Sequence, residues 1–224
     1  MLDALLDLVL PQVCAGCGGP SSWCAACTDA LDAAALRPLG MTQPQPVPAG
    51  FPRAAAAAVY DGAVRGALLA HKERGRLGLV LPLGRALAAA AGCLDAPPGV
   101  LLVPLPSNRA AVRARGHDHA WRLAGTAARL LGAQAVRLLA PARRVDDSAG
   151  LDATARAANL AGAFRVRRPA AGATVLLVDD VVTTGASLAE ATRTLTAAGV
   201  HVVGAATVAA TARRGSRASV HSAF

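Results

Sequence analysis

The run Val175-Leu176-Leu177-Val178-Asp179-Asp180-Val181-Val182-Thr183-Thr184-Gly185-Ala186-Ser187 constrains this chain more than any other. A short aliphatic run closed by acids reads as a buried strand. The small residues after it lead into a helical pattern, Leu188 to Ala198, ended by Gly199. An ordinary strand-to-helix turn needs one capping residue, Asp180 or Thr183. It does not explain two acids, three hydroxyls and a glycine within nine positions. Two adjacent carboxylates at a strand's carboxyl end can accept hydrogen bonds from vicinal hydroxyls, such as those on C2 and C3 of a ribose. Thr183, Thr184 and Ser187 offer hydroxyl donors, and Gly185 lets backbone approach an anion. The first amides of the following helix complete a concave anion site.

The rest of the chain frames that strand. Val100 to Val103, Ala135 to Leu139 and His201 to Val208 read as further strands, and His119 to Leu131 as a helix. Ahead of them, helical patterns run from Asp61 to Arg74, closed by Gly75, and through Leu79 to Ala91. Strands alternating with helices predict an α/β fold with a central, mostly parallel sheet flanked by helices. Ligands of such sheets bind beyond the carboxyl ends of the strands. With 224 residues and 54% hydrophobic content, the chain can bury one full core and carry a small appendage. Its texture divides into a cysteine-rich head (1 to 36), a proline-rich linker (37 to 53), a main domain (54 to 212) and a basic tail without periodicity (213 to 224), expected to be disordered.

The head carries Cys14-x2-Cys17 and Cys24-x2-Cys27, separated by six residues, with Gly16, Gly18 and Gly19 allowing a tight turn around thiolates. Two such pairs suit a closed, structural four-cysteine zinc site. Disulfides and an iron–sulfur site are the alternatives. Cys93, alone in an alanine-rich helix, reads as a small core residue.

The formal charge is +9, and Lys72 is the only lysine beside the arginines. That balance suits anionic partners but equally follows from an Arg- and Ala-rich composition. Six aromatic residues, one Tyr, three Phe and two Trp, leave little for base stacking. Met1 to Leu10 is apolar but interrupted by Asp3 and Asp7, and is too short to span a bilayer. It reads as a short amphipathic helix, and the protein is expected to be cytoplasmic, without membrane insertion.

After the first sheet strand, Val103-Pro104-Leu105-Pro106-Ser107 is followed within a dozen residues by Arg109, Arg113, Arg115, Gly116, His117 and His119. A strand end followed by arginines is where a pyrophosphate could be neutralised. The alternative is a solvated basic helix start. At Val175 to Ser187, the thirteen positions resemble the signature of type I phosphoribosyltransferases. The whole order of features resembles the ComF family of competence-associated, phosphoribosyltransferase-like proteins. Those features are the four-cysteine head, Tyr60-Asp61-Gly62, Lys72 to Gly75, the Pro-x-Pro, Arg115-Gly116, Arg156-x-x-Asn159-Leu160, Gly162-Ala163-Phe164, and Asp179 to Ser187.

The resemblance implies a type I phosphoribosyltransferase fold with a small zinc module at its N-terminal end. It implies that Asp179 and Asp180 hold the ribose hydroxyls of phosphoribosyl pyrophosphate. Val181, Thr183, Thr184, Gly185, Ala186 and Ser187 would cradle the 5-phosphate, Ser107 would lie on the pyrophosphate side, and magnesium would bridge pyrophosphate and ribose oxygens. Arg115 joins the two acids as a candidate catalytic residue. Two positions depart from many relatives, Asp118 in place of an Asn and Ser148 in place of a Gln. A contact from the loop Arg143 to Asn159 to the reacting centre is therefore not implied, although the loop is expected to close as a lid over bound ligand.

Two functions follow as expectations. One is a magnesium-dependent phosphoribosyl transfer to a nucleobase or amine. The other is a non-catalytic nucleotide- or single-stranded-DNA-binding accessory of competence, with a competence helicase as a further partner and homo-oligomerisation left open.

Overall fold

The structure, a computed structural model, describes residues 13 to 107, 109 to 143 and 158 to 212, with backbone alone at 109 to 111. The expected N-terminal helix, the basic tail and most of the expected lid lie outside the described residues.

β7 (Thr174–Val182) is the axis of a six-stranded sheet. It is parallel to β3 (Leu101–Pro104) on one side and to β8 (His201–Ala210) on the other. Beyond β8 lies β2 (Ala54–Val59), also parallel. The edges are β4 (Gln134–Ala135), parallel to β3, and β1 (Gly40–Thr42), antiparallel to β2. Val175 to Val178 are buried because both faces of the sheet are covered. Leu176 and Val178 enter one apolar cluster with Leu31, Leu68, Leu83, Leu87 and Leu123, while Val175 and Leu177 enter another with Leu139, Leu188 and Leu195. Period-two alternation along one strand therefore serves both layers.

The first layer is helical: α1 (Ala25–Leu36), α2 (Gly62–Glu73), α3 (Val80–Gly92) and α5 (His119–Leu130), with a short α4 (Arg109–Arg115) preceding α5. The second layer holds α6 (Ala186–Ala197) and a two-stranded antiparallel sheet of β5 (Leu139–Pro141) and β6 (Phe164–Val166). Asp61 caps α2 by accepting from the Gly62 amide at 2.7 Å, and Asp118 caps α5 by accepting from the Trp121 amide at 3.1 Å.

Two elements differ from the sequence reading. The strand expected over Ala135 to Leu139 divides into β4 and β5. The Val136 amide still bonds the sheet at the Leu102 carbonyl, 2.8 Å, but Leu138 turns back onto the Val136 carbonyl, 3.1 Å. The turn delivers Leu138 and Leu139 to the second core. The strand expected to end at Val178 runs on through both acids to Val182, because β8 continues beside it, pairing Asp179 with Thr207 and Val182 with Ala210.

The segment 37 to 53 is extended, yet it is tied to the domain. β1 lies within it, the Leu39 amide donates to the Ala57 carbonyl at 2.9 Å, and Pro44 and Phe51 rest against Gly185. The head is tied down too. α1 sends Leu31, fully buried, into the main core, and the Arg76 guanidinium donates to the Ser22 carbonyl. α2 meets the head at Gly66, where a Cβ would lie 2.2 Å from the Ala15 carbonyl oxygen and 2.6 Å from Gly16 Cα.

Gly66 yields a prediction whose sign runs against helix propensity. In an exposed helix, Gly→Ala stabilises by about 1 kcal/mol. Here the added methyl meets backbone that cannot swing away, so Gly66→Ala is expected to destabilise by about 1–3 kcal/mol. Denaturant midpoints at constant slope measure it, and a stabilised variant would separate the head from α2.

Among the described residues, no helix is long and apolar enough to cross a membrane.

Candidate functional site

The two acids stand where β7 outlasts β3. Pro104 pairs with Val178, the Leu105 amide donates to the Val178 carbonyl at 3.1 Å, and the chain then leaves the sheet. Asp179 and Asp180 are thus at the open carboxyl edge. Each acid also braces its own backbone, with Asp179 Oδ1 accepting from the Asp180 amide and Asp180 Oδ1 from the Val181 amide, both at 2.9 Å. One oxygen per carboxylate is used in this way, which leaves Asp180 Oδ2 to partners from the helical layer.

The turn follows at once. Thr183 is exposed, Thr184 and Ser187 are half-buried, and Gly185 precedes α6 with φ +74°. No side chain caps the helix at Gly185, so the first-turn amides keep their capacity for an anion. The structure therefore brings Asp179, Asp180, Val181, Thr183, Thr184, Gly185, Ala186 and Ser187 together on one strand end and one helix start. A recess of about 590 Å³ between Pro46 to Gly50 and the α6 residues Ala186, Ala189, Glu190 and Arg193 shows that the proline-rich strap stands away from α6 beyond the turn.

Asp180 is buried and meets two cations-in-waiting from the helical layer. Lys72 Nζ on α2 lies 3.1 Å from Asp180 Oδ2, and His119 Nε2 on α5 lies 3.6 Å from the same oxygen. Burial disfavours the charged carboxylate, but Lys72 first and His119 second outweigh it and hold Asp180 below the usual carboxylate range. Asp179 moves the other way: burial, then the charge of Asp180, push its carboxyl well above that range. The two neighbouring carboxyls are thus displaced in opposite directions. Burial drives His119 down to about 4, so its ring is neutral near pH 7, and Nδ1 has no hydrogen-bond partner among the described residues. Lys72 is held above its ordinary value because Asp180, with help from Asp179, overcomes the opposing effect of burial.

The pyrophosphate-side candidates are arranged differently from their order in sequence. Arg115 is not on the acid pair. Its Nε and Nη2 make a two-pronged pair with Glu73 at 3.1 and 3.0 Å. Ser107 Oγ donates to Asp118 Oδ1 at 3.0 Å, and Arg137 both approaches Asp118 Oδ2 at 3.4 Å and lies 3.9 Å over the Trp121 ring. The carboxylate of Asp118 thus anchors the Pro-x-Pro turn to the start of α5. Arg109 has no described side chain. On the other side, Arg143 Nη2 donates to the Asn159 and Ala161 carbonyls at 2.7 and 2.8 Å, and buried Glu190 accepts from the Gly162 amide at 3.0 Å. These contacts pin the two stems of the loop whose middle lies outside the described residues.

Sequence reasoning passed over Lys72 and Glu73 as site residues and took His119 as one of five basic residues in the dozen positions after Ser107. The signal for Lys72 was available: a chain that uses arginine everywhere else has one compact ammonium, and the two cations are not equivalent in chemistry.

The cysteine head forms a second constellation. The sulfurs of Cys14, Cys17, Cys24 and Cys27 all lie within 4.8 Å of one another. A zinc ion with bonds of about 2.3 Å places tetrahedral sulfurs about 3.8 Å apart. Cys14–Cys24 and Cys17–Cys24 separations of 3.7 and 3.5 Å match that edge and exceed a disulfide bond. Cys14 is lowered to about 6. Burial opposes the thiolate there, but the amides around it, including Cys24 N–H at 3.4 Å, donate to the sulfur. Burial and the neighbouring thiolates push Cys27 up, as expected of four soft donors crowded without a cation. Gly16 is required beside them, since a Cβ there would sit 2.5 Å from Cys27 Sγ. The cluster fits zinc in a closed structural role, whereas Cys93 lies apart, bonded to the Ala89 carbonyl at 3.5 Å.

Comparison with known families gives one match: residues 121–223 fit the phosphoribosyl transferase domain. The matched span holds α5, the acid pair and the phosphate turn, and it leaves out the head and α2. No curated protein matches the chain. With the mostly parallel sheet and its flanking helices, the match makes this a phosphoribosyltransferase fold. It supports a place among type I phosphoribosyltransferase-like proteins and points to a transferase that binds phosphoribosyl pyrophosphate or a nucleotide.

Proposed function

We propose that the protein is a phosphoribosyltransferase of the ComF type. Asp179 and Asp180 receive the ribose hydroxyls of phosphoribosyl pyrophosphate, and the amides and hydroxyls from Thr183 to Ser187 receive its 5-phosphate. One observation carries the reading: two carboxylates at the open end of β7 are followed, with no intervening element, by a left-handed glycine and the uncapped start of α6. The four-cysteine head joined to this fold supports the ComF assignment.

In the reaction, the bond from C1 to the pyrophosphate oxygen breaks and the pyrophosphate leaves with the electron pair. The lone pair of a nucleobase or amine nitrogen forms the new bond to C1, and that nitrogen then loses its proton. The site's task is positioning and neutralisation of the leaving group, and no protein nucleophile is involved. Two adjacent carboxyls suit a diol, because their oxygens can accept from neighbouring hydroxyls. Magnesium, when bound with the substrate, supplies charge on the pyrophosphate oxygens, with Asp179 and Asp180 as the neighbouring oxygen donors. The link to competence and DNA uptake rests on the ComF assignment.

The test is ligand-linked stability. At a hundredfold excess over its dissociation constant, a ligand adds about 2.7 kcal/mol. For a chain of this size that raises Tm by about 5–10 °C. Phosphoribosyl pyrophosphate with magnesium should do this for the native chain, and the Asp179→Asn, Asp180→Asn double variant should lose it. A native chain that gives no rise, or a double variant that keeps it, would place the ligand elsewhere. Release of pyrophosphate with a panel of bases then separates a transferase from a binding protein.

A further inference from the structure

We propose that Lys72 is a substrate-contacting residue of this site: its ammonium, delivered by α2 to the acid pair, meets the pyrophosphate group of bound phosphoribosyl pyrophosphate. The inference rests on the reading of the acid pair as the ribose site. It assigns the leaving-group cation to a residue outside the matched domain span and 108 positions away in sequence from Asp180.

Lys72 Nζ lies 3.1 Å from Asp180 Oδ2. An ammonium has three donors, and among the described residues one of them is used, on Asp180. Its side chain is 35% exposed against 11% for Asp180, so the ion pair does not seal it from solvent. In phosphoribosyl pyrophosphate the pyrophosphate is bonded to C1, next to the carbon that carries the 2-hydroxyl. A cation in contact with an acid that takes a ribose hydroxyl therefore lies beside the leaving group.

Two neighbouring cations are engaged elsewhere. Arg115 is held on both prongs by Glu73, and Arg137 lies on Trp121 and Asp118. His119 approaches the same oxygen of Asp180, 3.6 Å from Nε2, as an imidazole that burial keeps neutral near pH 7. A lysine also suits the task physically. It is a point charge on a flexible stem, able to keep Asp180 while reaching for an oxygen that becomes more negative as the C1 bond breaks.

The experiment compares two ligands, both with magnesium: phosphoribosyl pyrophosphate, and ribose 5-phosphate, which lacks the pyrophosphate. Lys72→Met is expected to weaken binding of the first by about ten- to a hundredfold, the loss of a charge-assisted hydrogen bond. Binding of the second should stay within about threefold, since its anchors remain. If both ligands weaken equally, Lys72 serves only to hold Asp180 and the proposal falls. It also falls if neither changes.

The single lysine gives a check on the native chain that does not depend on how the variant folds. With lysine-selective isotope labelling, the one side-chain ammonium signal should move further with phosphoribosyl pyrophosphate than with ribose 5-phosphate, and equal movement overturns the proposal. If the native chain binds neither ligand, the ribose reading fails instead, which is a different result.

Discussion

Removing the metal from the head is expected to lower Tm by on the order of 10 °C, with about one zinc released per chain. In small domains the free energy of binding structural zinc, about 10–16 kcal/mol, is folding free energy. Here the sharing is more complex, because α1 leans on the main core through Leu31 and Ala34, and the head meets α2 at Gly66. Part of the head's order is therefore carried by the domain. Four sulfurs within 4.8 Å cannot all be thiolates without a cation, and the opposite displacements of Cys14 and Cys27 record that conflict. A metal resolves it. Cys24→Ser, which breaks the two short sulfur contacts and leaves the N-cap position of α1 polar, should match chelation within a few degrees. Calorimetry with elemental analysis measures both. A metal-free chain that keeps its full Tm would show that the cysteines are a fold-neutral cluster.

Gly185→Val is expected to cost about 3–5 kcal/mol and to abolish the stabilisation by phosphoribosyl pyrophosphate. Two independent penalties combine. At φ +74° a residue with a Cβ is strained, a β-branched one more so, at about 1–2 kcal/mol or above. The new Cβ would also lie 2.7 Å from the Phe51 ring and 2.8 Å from Pro44 Cγ, an overpacking cost of about 1–3 kcal/mol. Phe51→Ala distinguishes them, since in its background the share of the steric penalty due to the Phe51 ring should vanish while the share due to Pro44 and the backbone part stay. Binding should not return in the double variant, because the side chain still stands where backbone must approach the anion. A Gly185→Val chain that loses less than about 1 kcal/mol, or that still responds to ligand, would move the phosphate away from this turn.

The acid pair and turn were legible because their signal is local. A buried strand, two acids, hydroxyls and a glycine lie within thirteen successive residues, and each follows from period-two burial or turn chemistry. The same holds for the cysteine pairs, whose spacing brings four sulfurs together with little help from the rest of the chain. Where the sequence reading slipped, a competing long-range demand won. Ala135 to Leu139 has strand propensity throughout, but the second core required Leu138 and Leu139, so the run bends after two residues of pairing. β7 outran its apolar run because ladder bonds to β8 held two acids in strand conformation.

By itself, then, the sequence determined the alternation of strands and helices, the glycine turn after β7 and the clustering of the four cysteines, all products of neighbours within about a dozen positions. Only the tertiary structure decided which charges meet. Arginine density after β3 pointed to Arg115 as the working cation, yet Glu73, 42 residues away, occupies it, and Lys72 reaches Asp180 across 108. It likewise laid the proline-rich segment on Gly185 and the head on Gly66. Charge pairing and close backbone contact depend on where whole helices come to rest against the sheet, and the buried Leu and Ala surfaces that set those positions carry no label for the polar residues at their rims.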